Sequence, residues 1–182
     1  MNTLADLVSA IRTLSSSGES GPEPVRAALT TALADSSDWL DARYLDRDPA
    51  ADWALHPLLR AENCSVLAVV FRPGAAVPVH DHGSWAVIGI YRGRERETRY
   101  GLTEGPGPLE VVGTLVNAQG DVTVVPRDVA HTVEALDGDD AVSIHVYGTD
   151  IVTRERHTYD VETGETQPYR PRFVEPATAS RR

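Results

Sequence analysis

Residues 74–93 read GAAVPVHDHGSWAVIGIYRG. His80 and His82 stand two apart among small and apolar residues. In an extended strand successive side chains leave on opposite faces, so both imidazoles share one face and Asp81 takes the other. Two imidazoles on one face can hold a divalent metal in a cis arrangement, with a third ligand supplied from elsewhere in the chain. Paired surface histidines look the same over so short a stretch, so the surroundings decide.

Five residues separate Gly74 from His80, one separates His80 from His82, and Gly93 closes the next strand. Further along, Gly120 is followed after five residues by Pro126, and after four more by His131. Two half-motifs in this order are far more specific than either alone. Together they resemble the two motifs of the cupin superfamily. The resemblance implies an all-β fold, the double-stranded β-helix or small jelly-roll-like barrel.

The chain of 182 residues is long enough for one domain with a substantial core. Its net charge of −10 argues against a nucleic-acid or anionic-membrane surface, which clusters Lys and Arg. The one cysteine, Cys64, has no internal partner for a disulfide, so a cytoplasmic location is expected. Cys64 heads the apolar run CSVLAVVF and reads as buried packing. Asp6 interrupts the first apolar stretch, so no signal peptide is expected, and no run approaches the length of a membrane span. Small size and acidic character fit a monomer or homodimer.

Leu4, Leu7, Val8, Ile11 and Leu14 recur at helical spacing over 3–16. A second helix is expected from about Pro22, with Val25, Leu29, Ala32 and Leu33 on one side. The mixed stretch 36–57 reads as a turn-rich connector. From Cys64 the texture changes to short runs rich in Val, Ile, Thr and Tyr. Strands are expected at 64–71, 75–81, 84–91, 95–101, 108–116, 121–125, 130–136, 141–147 and 151–159, a spacing that suits a sandwich or small barrel. The expected organisation is a helical segment and connector over 1–55, a barrel over 56–175 and a loose tail over 176–182.

In the run 141–147, AVSIHVY, Ser143, His145 and Tyr147 alternate with Val142, Ile144 and Val146. One strand face is polar and the other apolar. The polar face either meets solvent or points into the barrel beside His80, His82 and His131. The second arrangement leaves the apolar face outside and in need of a cover, which the two helices can supply, and it is the one expected here.

Cupins commonly add a glutamate ligand four residues after the second histidine, where this chain has Ala86. Either the barrel is metal-free or its site is built without a carboxylate. Three neutral imidazoles leave a divalent ion its full charge, which favours an anionic ligand such as a thiolate. Imidazole suits iron, zinc, copper and nickel alike, so ligand type does not choose the metal.

The strings HDHGSWAVIGIYRG and SIHVYG together resemble the thiol dioxygenases, the cysteine dioxygenase family, over about residues 55–160. The resemblance implies mononuclear Fe(II) held by His80, His82 and His131, adding both atoms of O₂ to a small thiol to give a sulfinic acid. It also implies a Ser143–His145–Tyr147 relay with the Tyr147 hydroxyl near substrate and oxygen. Some members crosslink this tyrosine to a cysteine after the HxH pair; here that region is Ala86–Val87 and no crosslink can form. Cysteine-specific members carry a carboxylate-binding arginine before the first barrel strand, where this chain has His56. Members preferring 3-mercaptopropionate carry an arginine after the SxHxY strand, matched here by Arg156. Arg156 can pair bidentately with a carboxylate, or it can be a solvent-facing charge on an edge strand. His56, Arg60 and Arg72 are further candidates for the substrate carboxylate, and Trp85 for a pocket wall; His157 reads as a surface residue.

The expected function is an Fe(II)-dependent thiol dioxygenase acting on a carboxylate-bearing thiol and O₂. The rivals are a cupin oxygenase or isomerase on a non-thiol substrate, and a non-catalytic ligand-binding cupin. A mere binding module has no evident use for a tyrosine relay aimed at a metal.

Overall fold

The computed structural model describes residues 3–16, 21–34, 38–102, 107–136 and 138–174. Helices α1 (Leu4–Ser16) and α2 (Pro22–Ala34) precede ten strands: β1 (Trp53–Ala61), β2 (Cys64–Phe71), β3 (Ala86–Arg92), β4 (Arg94–Gly101), β5 (Glu110–Ala118), β6 (Val122–Val125), β7 (Val129–Ala135), β8 (Ala141–Tyr147), β9 (His157–Tyr159) and β10 (Thr166–Pro168). A five-stranded sheet in the order β1-β2-β8-β3-β6 faces a three-stranded sheet β5-β4-β7, and β9 and β10 form a small hairpin.

Strand alternation divides the apolar residues into two clusters. Leu67, Val69 and Phe71 of β2, Ala86 and Ile88 of β3, and Tyr147 of β8 point between the sheets. Val66, Ala68 and Val70 of β2 and Val142, Ile144 and Val146 of β8 point outward, where Leu7 and Ile11 of α1 and Val25, Leu29 and Ala32 of α2 cover them. The helices therefore supply the cover that the apolar face of AVSIHVY requires, and its polar face is turned into the barrel. Burial of these aliphatic side chains, about 1.5–3 kcal/mol for each Val, Leu or Ile and less for each Ala, is what holds the helices to the sheet. Helix α2 seats closely over Gly89 of β3, where a Cβ would stand 2.5 Å from Leu33 Cδ1 and 2.8 Å from Leu29 Cδ2. Cys64 is buried in the same outer cluster, as its apolar run suggested.

Three parts of the chain depart from expectation. The connector ends early, because β1 begins at Trp53 and pairs with β2 along its length. Residues 75–81 do not form a continuous strand: Pro78 has no N–H to donate, and the segment is held to β7 by separate bridges at Ala76–Glu134 and His80–His131. The stretch 151–159 starts as a turn instead of a strand. Asp150 accepts from Val152 N–H through its carboxylate, and its carbonyl accepts from Thr153 and Arg154, leaving only His157–Tyr159 extended. The expected tail at 176–182 lies outside the described residues.

Candidate metal centre

His80 and His82 come from the bridged segment between the sheets, and His131 from the inward face of β7. Mutual N–H to carbonyl bonds of 2.9 Å between His80 and His131 fix the two backbones side by side. Residues 79–81 are also held on their other side, where Tyr159 N–H donates to Val79 O at 2.9 Å and Asp81 N–H to His157 O at 3.1 Å. The three imidazoles are buried, and one ligand nitrogen from each lies within 4.8 Å of the others. As strand alternation requires, Asp81 leaves on the opposite side, where it accepts from Tyr159 Oη at 2.7 Å. It also lies 3.4 Å from His157 Nδ1, and His157 is half-exposed, in keeping with a surface position.

The ring orientations suit a cation. His80 Nδ1 donates to the Pro78 carbonyl at 2.9 Å, and His131 Nδ1 donates to Glu97 Oε1 at 2.9 Å. Both partners only accept, so both rings keep a lone pair on Nε2 for the centre. His131 Nε2 and His82 Nε2 face each other at 3.3 Å. Two buried acceptor nitrogens at that separation need a proton or a cation between them. His82 Nδ1 is buried with no hydrogen-bond partner among the described residues, so this ring is anchored through Nε2, by a proton shared with His131 or by coordination. Burial first, and the neighbouring imidazoles second, hold His80 and His82 well below the ordinary histidine range, in the neutral form that ligates. Among the described residues no carboxylate or thiol joins this group. At the position where cupins commonly carry a glutamate ligand, Ala86 points into the barrel, fully buried and in register with Tyr147. The residues present therefore fit a metal held by imidazole alone.

Glu97 is a residue of this centre that the motifs did not reveal. It is gripped by Arg99 through two bonds of 2.9 and 3.0 Å, and Arg99 also donates to Thr123 Oγ1 at 2.7 Å. Burial pushes the Glu97 carboxyl up, but the bonds from His131 and Arg99 outweigh it and hold the group below the usual carboxylate range. A signal was available in the sequence. RERETRY is charged on both faces of β4, so one charged face had to enter the barrel.

Ser143, His145 and Tyr147 form a buried chain. Ser143 Oγ lies 2.8 Å from His145 Nε2, and His145 Nδ1 lies 3.0 Å from Tyr147 Oη. The Tyr147 ring stands edge-on to His82 with centroids 5.0 Å apart. Burial lowers His145 to about 3, so its ring is neutral, and burial raises Tyr147 above the ordinary phenol range, so its hydroxyl keeps its proton.

Arg156 is only 5% exposed and is not a solvent-facing charge. Its guanidinium lies over Tyr169 at 5.0 Å and Phe173 at 6.0 Å, and the Tyr169 ring in turn meets His80 at a 50° tilt with centroids 4.9 Å apart. Among the described residues no carboxylate forms an ion pair with it. Burial lowers its basicity, while Tyr147, Tyr169 and Asp81 oppose that effect. A groove of about 520 Å³ is lined by Arg156, Tyr169 and Phe173; none of the three site histidines lines it, and Tyr169 is the lining residue whose ring meets His80. Tyr169 and Phe173 lie beyond the recognisable motifs, and nothing in the sequence marked them.

The other substrate-binding candidates lie elsewhere. His56 stands opposite Ala68 on the outward face of β1, its Nε2 2.7 Å from the Asp46 carbonyl and its ring edge-on to Tyr44. It misses the cavity because neighbouring Leu55 takes the inward position. Arg60 is committed to Asp150 by bonds of 3.2 and 2.8 Å at the surface. Arg72 pairs with Asp52, both half-exposed. Trp85 packs in the outer cluster against Gly148, not in the cavity, because Ala86 takes the inward place. A second groove of about 820 Å³, lined by Arg127, Asp150 and Arg154, includes none of the three site histidines.

No family model matches the sequence. Among solved structures, an uncharacterised conserved protein with a double-stranded β-helix domain from Klebsiella pneumoniae is similar at a TM-score of 0.52 and 11% identity, covering 67% of this chain and 91% of that one. The fold is the double-stranded β-helix of the cupins. An RmlC-like cupin from Methanocaldococcus jannaschii (TM-score 0.45, 16% identity, 58% and 89% covered) and an oxalate oxidase bound to the substrate analogue glycolate (0.47, 16%, 64% and 64%) are also similar. Among the described residues no helix is long and apolar enough to cross a membrane.

Proposed function

We propose that this protein is an Fe(II)-dependent thiol dioxygenase that converts a small carboxylate-bearing thiol and O₂ to the sulfinic acid. The observation that carries the reading is the chain Ser143–His145–Tyr147, ending on a buried phenol beside the three-imidazole cluster. A binding protein gains nothing from a hydrogen-bonded phenol in that place, and an ordinary cupin site with a carboxylate ligand would not retain the full charge that favours a thiolate.

His80, His82 and His131 would hold the metal, with Glu97 fixing the His131 ring. Bound there, Fe(II) supplies the redox chemistry and the positive charge that bring a thiolate and O₂ together. The protein orients the reactants and keeps water out. Arg156 would receive the substrate carboxylate, since its charge is buried with no ion-pair partner within reach among the described residues and its planar fork can bond both oxygens. Tyr147, held by His145, would present its hydroxyl to the reacting atoms.

The test is oxygen uptake by iron-loaded protein with cysteine, 3-mercaptopropionate, cysteamine and mercaptosuccinate, with the product identified by mass. Uptake with sulfinate formed from a carboxylate-bearing thiol is expected. Uptake without sulfinate would favour a cupin oxygenase of another substrate class; tight ligand binding with no turnover would favour a non-catalytic cupin.

A further inference from the structure

Glu95 occupies the inward face of β4, two residues before Glu97, and is 2% exposed. Its Oε1 has no hydrogen-bond partner among the described residues. The hydroxyl set against its carboxyl is that of Ser143, the inner end of the chain that leads to Tyr147. A half-bonded carboxyl in the core is costly.

A neutral imidazole carries one N–H, and a serine hydroxyl carries one proton, so the chain has two possible polarities. If Glu95 is protonated it donates to Ser143 Oγ. Ser143 then donates to His145 Nε2, and Nδ1–H donates to the Tyr147 oxygen, leaving the phenol proton directed at the cavity. If Glu95 is ionised it accepts from Ser143. His145 then donates from Nε2, and Nδ1 accepts the Tyr147 proton, so only phenol lone pairs face the cavity. We propose that Glu95 is a positioning residue whose proton sets the tautomer of His145 and, through it, the direction in which the Tyr147 hydroxyl points.

Both states lie in the working range. Burial first, and Glu97 after it, push Glu95 up to about 7 against the pull of Ser143. Glu97 is the charged neighbour on its own strand, and Ser143 faces it from β8. Its register partners on β5 and β7, Asn117 and Ala135, carry no charge. His145, lowered to about 3, does not itself gain a proton where Glu95 titrates.

The inference rests on the proposed function only for its consequence to catalysis, and its test involves no turnover. The ¹⁵N chemical shifts of His145 distinguish Nδ1–H from Nε2–H in full-length histidine-labelled protein, with the signal assigned by its loss in His145→Gln. In the wild type, His145 is expected to pass from Nδ1–H to Nε2–H with a midpoint near pH 7. In Glu95→Gln, which keeps a donor toward Ser143, it should stay Nδ1–H throughout. Ser143→Ala cuts the link without touching Glu95 and should also remove the pH dependence. A single tautomer across the pH range in the wild type, or an unchanged transition in either variant, would overturn the proposal while leaving the thiol dioxygenase reading intact.

Discussion

Glu97 Oε1 lies 2.9 Å from His131 Nδ1, and the carboxylate is locked in turn by both arms of Arg99. A carboxylate in this position fixes the ring and makes Nε2 a stronger donor, so part of the metal affinity resides outside the ligand set. Glu97→Gln is expected to weaken metal binding about 10- to 100-fold, read by competition with a chromophoric chelator. The fold should survive, since the amide keeps an acceptor for Arg99. Unchanged affinity would mean that Glu97 only neutralises Arg99.

Tyr147→Phe removes one buried hydroxyl and leaves the ring packed against His82. Thiol oxidation should fall about 100-fold or more, the range typical of a positioned proton donor. Metal affinity should not change. A variant with wild-type kcat would show that the phenol is structural.

Arg156 and His56 divide cleanly. Arg156→Lys keeps the charge but loses the planar fork, so KM for a carboxylate-bearing thiol should rise about tenfold with a smaller change in kcat. His56→Ala should leave KM unchanged and lower stability by about 1 kcal/mol through loss of the bond to Asp46 O. Steady-state kinetics and urea unfolding separate the two.

Glu95 makes a prediction about stability as well as tautomer. Its carboxyl is raised from 4.5 to about 7 in the fold, so the folded state keeps a proton that the unfolded chain releases. Stability attributable to this group therefore falls as pH rises from about 4.5 to about 7, and the full cost, about 3 kcal/mol, applies above that. Glu95→Gln should be more stable than wild type at pH 8, with the gap closing near pH 5. Denaturant unfolding at the two pH values checks the sign.

The strongest sequence signals were those in which periodicity and chemistry coincide. CSVLAVVF and AVSIHVY formed strands over the expected residues because each has a face that must be buried. The alternation of Ser143, His145 and Tyr147 also foretold the helical cover. The HxH pair marked the right segment, but Pro78 reduced its pairing to isolated bridges. The substrate side was harder to read. Placing His56 in the cavity depended on an approximate alignment, whereas its face is decided by the inward turn of Leu55. Glu95 and Glu97 belong to no motif, and charge in a strand is ordinarily outside, so only the doubly charged pattern of β4 hinted at them. Tyr169 reaches His80 through a backbone return after β10 that no local pattern encodes.

The central claim is that three imidazoles, with no carboxylate, hold an iron that takes up a thiolate. X-ray absorption of the Fe(II)-loaded protein, with and without 3-mercaptopropionate, tests it most directly. The account predicts three histidine nitrogens and no protein carboxylate in the first shell, with a sulfur scatterer appearing on addition of the thiol and lost in His131→Ala. An unchanged light-atom shell in the presence of saturating thiol would contradict it.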